Sequence, residues 1–192
     1  MKKLLIGVDE VGVGAISGPV AAGAVFIPEG IDPSAYGDSK KIAKKKRIPL
    51  YSHIKANCKF GIGVATNEVI DLVGIRAATI GAMVAAIDDL FLRNPDLNRE
   101  DYKLMVDGDH FTELTNMDYE CIIKGDAKFK CIGAASILAK VYRDSVMDRL
   151  SIKTPGYLWE KNSGYGTKEH SAAIIARGLT KYHRRSFCSK FI

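Results

Sequence analysis

Over the first third of the chain the apolar residues fall in short, nearly continuous runs, the pattern of strands buried on both faces. Residues 3–9 and 19–27 read as two such strands, and 58–65 alternates loosely as a third. The links between them are short enough to predict an antiparallel meander. Pro28 through Asp38 is rich in turn residues. Residues 41–56 predict a basic helix, limited or kinked by Pro49. From 67 to 93 the period changes to that of a helix, with Val69, Val73, Ile80, Met83, Val84, Ile87, Leu90 and Phe91 in phase. Gly74 is the expected point of division into two helices. Short strands follow at 102–107 and 118–124, then a helix at 129–151 whose core side is Ile132, Ala135, Leu138, Ala139, Tyr142, Val146 and Leu150. A last helix is expected at 167–177. Strands first, then strands alternating with helices, predict a mixed-sheet α/β domain over residues 1–152. Residues 153–192 carry no strand signal and predict a helical segment packed on that domain.

Composition narrows the classes. With 192 residues, 47% of them apolar, the chain can build one sizeable core. Its apolar stretches are broken by charge well short of the ~20 residues that span a bilayer, so no membrane partner is expected. The five-residue run after Lys3 leads straight into Asp9 and Glu10, which argues against a secretory leader. Cys58, Cys121, Cys131 and Cys188 lack the close spacing of a zinc site and read as reduced thiols of a cytoplasmic protein. A monomer is the default expectation. The net charge of +6 permits a polyanionic partner without requiring one. Lys40, Lys41, Lys44, Lys45, Lys46 and Arg47 form one basic cluster and Arg184, Arg185 and Lys190 another; each fits either a solvated face or a nucleic-acid surface.

The chemistry concentrates at strand ends. Asp9 and Glu10 close the first apolar run, and desolvating adjacent like charges is unfavourable unless a cation lies between them. Gly12, Gly14 and Gly18-Pro19 follow, so the backbone there can turn tightly and approach a ligand. Asp107 ends another strand, with Asp109 and His110 just beyond, and Asp126 precedes the long helix, where it also fits a cap. Four such carboxylates suit two Mg²⁺ ions roughly 4 Å apart, which prefer carboxylates, water and phosphate oxygens. Because neighbouring strand residues point to opposite faces, Asp9 and Glu10 share one site only if the strand ends or bulges there. Ser136, Lys140 and Arg143 make a polar-basic stripe on the long helix, facing either solvent or substrate phosphates. Tyr165, between Gly164 and Gly166, is either a surface-turn residue or a ring against which a sugar packs. His170 and His183 read as ordinary polar residues or as aids to proton transfer.

These segments, taken in order, resemble a family. Gly7-Val8-Asp9-Glu10-Val11-Gly12-Val13-Gly14-Ala15-Ile16-Ser17-Gly18-Pro19-Val20 is similar to the opening signature of ribonuclease HII. The blocks 38–41, 106–108, 124–128, 134–141, 164–170 and 183–187 resemble the later ones, so the likeness runs from residue 4 to residue 187. The resemblance implies an RNase H-like three-layer fold, with a central mixed β-sheet flanked by helices and a C-terminal helical segment. It implies hydrolysis of the RNA strand of RNA–DNA hybrids, and nicking of duplex DNA 5′ to an embedded ribonucleotide, giving a 5′-phosphate and a 3′-hydroxyl. By position, Asp9, Glu10, Asp107 and Asp126 become the catalytic, metal-binding acids for two Mg²⁺ or Mn²⁺ ions. Tyr165 matches the residue that senses the 2′-hydroxyl, and the backbone of Gly12, Val13 and Gly14 the loop that bonds ribose. Ser39, Lys40, Ser136 and Lys140 match positions near the nucleic-acid backbone, to which the stripe reading adds Arg143.

Two positions depart from the family pattern. Its opening loop usually reads Gly-Arg-Gly, where this chain has Val13, and Gly74 stands where asparagine is more frequent. A valine brings no charge to a phosphate, so the resemblance implies a weaker or altered grip on a single ribonucleotide. Three rival readings explain less. A binding protein that does not cut has no chemical need for four acids, a DNA junction resolvase leaves Tyr165 and the 12–14 loop idle, and a coating protein leaves the strand-end acids without purpose.

Overall fold

The computed structural model describes residues 3–112 and 116–191. Three strands open the chain or follow closely, β1 (Leu4–Val11), β2 (Val20–Phe26) and β3 (Lys59–Ala65), with helix α1 (Lys44–Asn57) between the last two. Helices α2 (Asn67–Val73) and α3 (Ile75–Arg93) follow, divided at Gly74 as expected. Strand β4 (Tyr102–Asp107) and strand β5 (Tyr119–Ile122) lead through a single helical turn, α4 (Gly125–Lys128), into the long helix α5 (Lys130–Lys153). Helices α6 (Trp159–Asn162) and α7 (Lys168–Arg177) and two 3₁₀ turns complete the described chain.

The sheet order is β3-β2-β1-β4-β5. The three leading strands form the antiparallel meander, while β1 pairs with β4, and β4 with β5, in parallel. Sequence position and space therefore part at β1, which sits in the middle with acids at its C-terminal end. Side-chain alternation sends Ile6, Val8, Val20, Ala22 and Ala24 to one face, against Ala78, Ala82, Met83 and Ala86 of α3. Val25 faces the other way, against Ala134, Ala135, Ile137 and Leu138 of α5, with Ile54 of α1 outside them. Both faces of the sheet are covered, giving the three layers expected.

The helices can lie this close because small residues line the contact. A Cβ at Gly63 would fall inside the contact distance of the Ala82 carbonyl and the Ala86 amide, both of them helix backbone. Backbone cannot step aside as a side-chain end can. Gly63→Ala is therefore expected to destabilise the fold by roughly 3 kcal/mol, the upper end of ordinary overpacking. Urea unfolding checks this: the midpoint should fall with an unchanged slope.

The departures from the sequence reading that matter for the site are in β1 and α1. Strand β1 continues past Asp9, because Glu10 and Val11 pair in regular register with Ala22 and Ala21. Helix α1 begins at Lys44 rather than 41, since Asp38 binds the Lys40 amide through its side chain at 2.9 Å and the Lys41 amide through its carbonyl at 3.0 Å, closing a turn. Pro49 lies inside α1 without ending it.

Candidate active site

Since β1 neither ends nor bulges at Asp9, the alternation rule holds. Asp9 points with Val11 toward α5, and Glu10 points with Ile6 and Val8 toward α3. Asp107 comes from β4 on the α5 side, as does Met105, and its Oδ1 accepts the Gly125 amide at 2.6 Å. That bond fixes the chain where it turns into α4, which carries Asp126. One carboxylate oxygen from each of Asp9, Asp107 and Asp126 lies within 4.8 Å of the others. Glu10 stands outside that trio, on the other side of the sheet edge, yet close enough that Asp107 and Asp126 both raise its pKa. Asp126 caps neither helix: α4 is entered through Lys124 in the left-handed region, at φ 56°, and α5 follows the extended residue Phe129.

Electrostatics at this corner favour a cation among the carboxylates. Burial, and then the like charges of Glu10 and Asp107, push the Asp9 carboxyl well above its usual range, and a hydrogen bond from Ser136 offsets part of this. Burial and Asp107 likewise raise Glu10 and Asp126, while the nearby Lys40 ammonium lowers both. Hard oxygen donors that repel one another, converging at a strand end, fit a divalent cation.

The loop after β1 is built against two buried arginines. Arg143, read from sequence as part of an outward basic stripe, is 0% exposed. Its Nε, Nη1 and Nη2 donate to the carbonyls of Pro19 at 2.7 Å, Ser163 at 2.7 Å and Ser17 at 3.1 Å. Arg184, read as a surface cation, is also 0% exposed and donates to the carbonyls of Gly18, Val13 and Gly12 at 2.9, 2.9 and 2.8 Å. Gly12 sits at φ +93°, and a Cβ there would strike the Arg143 guanidinium. In a trans peptide the carbonyl and the following N–H point opposite ways. With the Gly12 and Val13 carbonyls turned to Arg184, the amides of Val13 and Gly14 are directed away from it.

The rest of the stripe is also engaged. Ser136 is buried, its hydroxyl paired with that of Ser39 at 2.8 Å beneath Asp9. Lys140 reaches Asp144 at 2.7 Å, and Arg47 of α1 approaches the same carboxylate at 3.5 Å. Arg143 is thus corrected from a phosphate contact to an internal clamp, because every nitrogen of its guanidinium meets a backbone carbonyl. Lys40 stays exposed at the rim of the acids.

Tyr165 is half-buried beside this loop, with the Arg143 guanidinium 5.7 Å from its ring centre. Gly164 accepts the amides of Ile16 and Ser17 at 2.9 and 3.2 Å, which ties the Tyr165 segment to the loop. His170 and His183 are core residues. Trp159 Nε1 donates to His170 Nε2 at 3.0 Å, so His170 Nδ1 carries the proton and donates to the Tyr165 carbonyl at 2.9 Å. Burial, joined by the repulsion that a second proton on neighbouring His170 would bring, pushes His183 down to about 4. Both rings are neutral packing residues, and His170 braces Tyr165 through its carbonyl, leaving proton transfer to other groups. Asp109 and His110 lie 3.2 Å apart, each more than half exposed.

Sequence reasoning missed Arg184 as a site-building residue. Its signal was hidden in a basic tripeptide that reads as surface.

Comparisons with known proteins bear on the family and the fold. A family model described as Ribonuclease HII matches residues 6–190. The chain is 44% identical over 185 residues to the Ribonuclease HII of Pelagibacter ubique, covering 96% of each chain. The crystal structure of ribonuclease H2 from Pyrococcus horikoshii OT3 shares the fold, with a TM-score of 0.74 at 23% identity over 97% of this chain and 96% of that one. A structure of Bst-RNase HIII in complex with Mn²⁺ also shares it, with a TM-score of 0.67 at 18% identity, covering 96% of this chain and 64% of that one.

Proposed function

This chain belongs to the ribonuclease HII family, and from that premise we propose how its residues carry out RNase H endonuclease cleavage. Its substrate is the RNA strand of an RNA–DNA hybrid, and the reading extends to nicking DNA on the 5′ side of a single embedded ribonucleotide. The observation that carries the reading is the convergence of Asp9, Asp107 and Asp126 within 4.8 Å beside a loop held for backbone contact.

Asp9, Asp107 and Asp126, with Glu10 at the edge, would hold Mg²⁺ or Mn²⁺. Such ions, when bound, supply Lewis acidity at the scissile phosphate and lower the pKa of a coordinated water. The chain's own part is positional. The Gly125 amide keeps Asp107 in one rotamer, and the Ser39–Ser136 pair supports Asp9 from below. The Val13 and Gly14 amides are available to a ribose 2′-hydroxyl, an acceptor that deoxyribose lacks. Tyr165, backed by Arg143 and His170, packs against the neighbouring sugar. Lys40 offers its charge to a backbone phosphate, and Ser39 and Ser136 fix the segment that carries it. The products are a 5′-phosphate and a 3′-hydroxyl.

Two end-labelled duplexes test this, one a continuous hybrid and the other DNA with one ribonucleotide. Cleavage of both, the second on its 5′ side, is expected with Mg²⁺ and with Mn²⁺; failure to cut the hybrid would sink the reading. Val13→Arg adds a charge at the loop tip, where the wild-type residue is apolar and 36% exposed. It is expected to raise activity on the single-ribonucleotide duplex by about tenfold, the scale of one charge-assisted contact. Activity on the hybrid, which has many ribose contacts, should rise less.

A further inference from the structure

On the α3 side of the acids lies a cavity of about 230 Å³ whose lining includes Glu10, Asp107, Val13, Arg76, Thr79 and His110. Its floor is apolar, formed by Ile80 and Met83 of α3. Arg76 Nη2 and His110 Nδ1 are 3.1 Å apart. An arginine only donates, so Nδ1 accepts, and the other ring nitrogen carries the proton that meets Asp109 Oδ1 at 3.2 Å. The chain Asp109–His110–Arg76 therefore aims a guanidinium without neutralising it. Among the described residues Arg76 forms no ion pair, although Glu10 and Asp107 line the same cavity. Arg76 is exposed, and the imidazole fixes the end of its side chain at the mouth of the cavity. Thr79 adds a buried hydroxyl that has no hydrogen-bond partner among the described residues.

An aimed cation and a hydroxyl, neither of them paired with a carboxylate among the described residues, together with an apolar floor fit one sugar–phosphate unit of a nucleic-acid strand. We propose that Arg76, oriented by His110, binds a backbone phosphate of the duplex beside the scissile one, with the attached sugar seated in the cavity. This rests on the nuclease reading above, and it assigns to α3 a substrate contact additional to those of the loop and Tyr165.

The test is equilibrium binding of a fluorescent RNA–DNA hybrid in chelator, where no cleavage occurs, over a series of salt concentrations. Losing one phosphate contact lowers the slope of log affinity against log salt by about 0.7 to 0.9. Arg76→Gln is expected to show that loss and Arg76→Lys to restore most of it, since a point charge suffices for a phosphate. The hybrid is then made with a neutral methylphosphonate at one position at a time around the cut. The wild type should lose about tenfold in affinity at one particular position, and Arg76→Gln should lose nothing there. An unchanged slope, or a variant that keeps every methylphosphonate penalty, would overturn the proposal. Binding is read apart from cutting, so a wild type that binds with the expected slope but cuts no duplex would sink the nuclease reading alone.

Discussion

Asp9→Asn is expected to abolish cleavage, by roughly 10³-fold or more, while raising the melting temperature of the metal-free protein. The two effects have one cause. Asp9 is 4% exposed and shares its corner with Glu10 and Asp107, whose charges disfavour its ionised form. An amide of the same shape keeps the bond from the Glu10 amide, 2.7 Å away, through its oxygen and removes a buried charge. It cannot serve as an anionic ligand, and metal assistance is worth several kcal/mol of transition-state stabilisation, each 1.36 kcal/mol being tenfold in rate. Relief of repulsion in the fold should appear as a gain of a few degrees, since 1 kcal/mol shifts a chain of this size by about 2–4 °C. Melts in chelator and in Mg²⁺ separate the terms. The wild type should gain stability with Mg²⁺, by about 2.7 kcal/mol at a hundredfold excess over its dissociation constant, and the variant should gain little. A variant that melts no higher in chelator, or that gains as much from Mg²⁺ as the wild type, would mean that Asp9 is not held against repulsion for a cation.

Most of the architecture was legible because it rests on local patterns. Continuous apolar runs at 19–27 and 102–107 become the doubly buried strands β2 and β4, and the 3.6-residue period over 67–93 becomes α2 and α3 with their division at Gly74. The acids were legible for a related reason: a carboxylate beside Val8 or Val106, both fully buried, is chemically conspicuous. What local pattern could not resolve was the face each acid takes. Asp9 and Glu10 remain on opposite sides of an unbroken strand, and the site forms because Asp107 and Asp126 arrive from β4 and α4. The arginines were misread for a reason of distance. Arg143 bonds Ser17 and Arg184 bonds Gly12, partners 126 and 172 residues away. No window along the chain distinguishes a guanidinium destined for buried carbonyls from one destined for solvent.

That distance carries the other large expected effect. Arg184→Met keeps much of the buried volume and removes the donors to three loop carbonyls, those of Gly12, Val13 and Gly18. Each buried acceptor left without a partner costs about 1–3 kcal/mol, but the wild type also carries the penalty of burying a cation. Burial and the repulsion of Arg143 push the Arg184 guanidinium down to about 10, the direction expected of that opposing penalty. The net loss is expected at roughly 3–5 kcal/mol, or about 6–20 °C in melting temperature. Arg184→Lys should recover little, because one ammonium on a shorter stem cannot span three carbonyls as a planar fork does. Function should fail selectively. With the carbonyls released, the Val13 and Gly14 amides lose their fixed direction, so cleavage at a single ribonucleotide should fall further than cleavage of a hybrid at temperatures where both proteins are folded. Arg143→Met acts on the same loop through Ser17 and Pro19. The double variant should therefore be destabilised by less than the sum of the single ones, the mark of residues that share one structure. Strict additivity, or equal loss on both substrates, would mean that the two arginines support the fold generally and that the loop's aim does not depend on them.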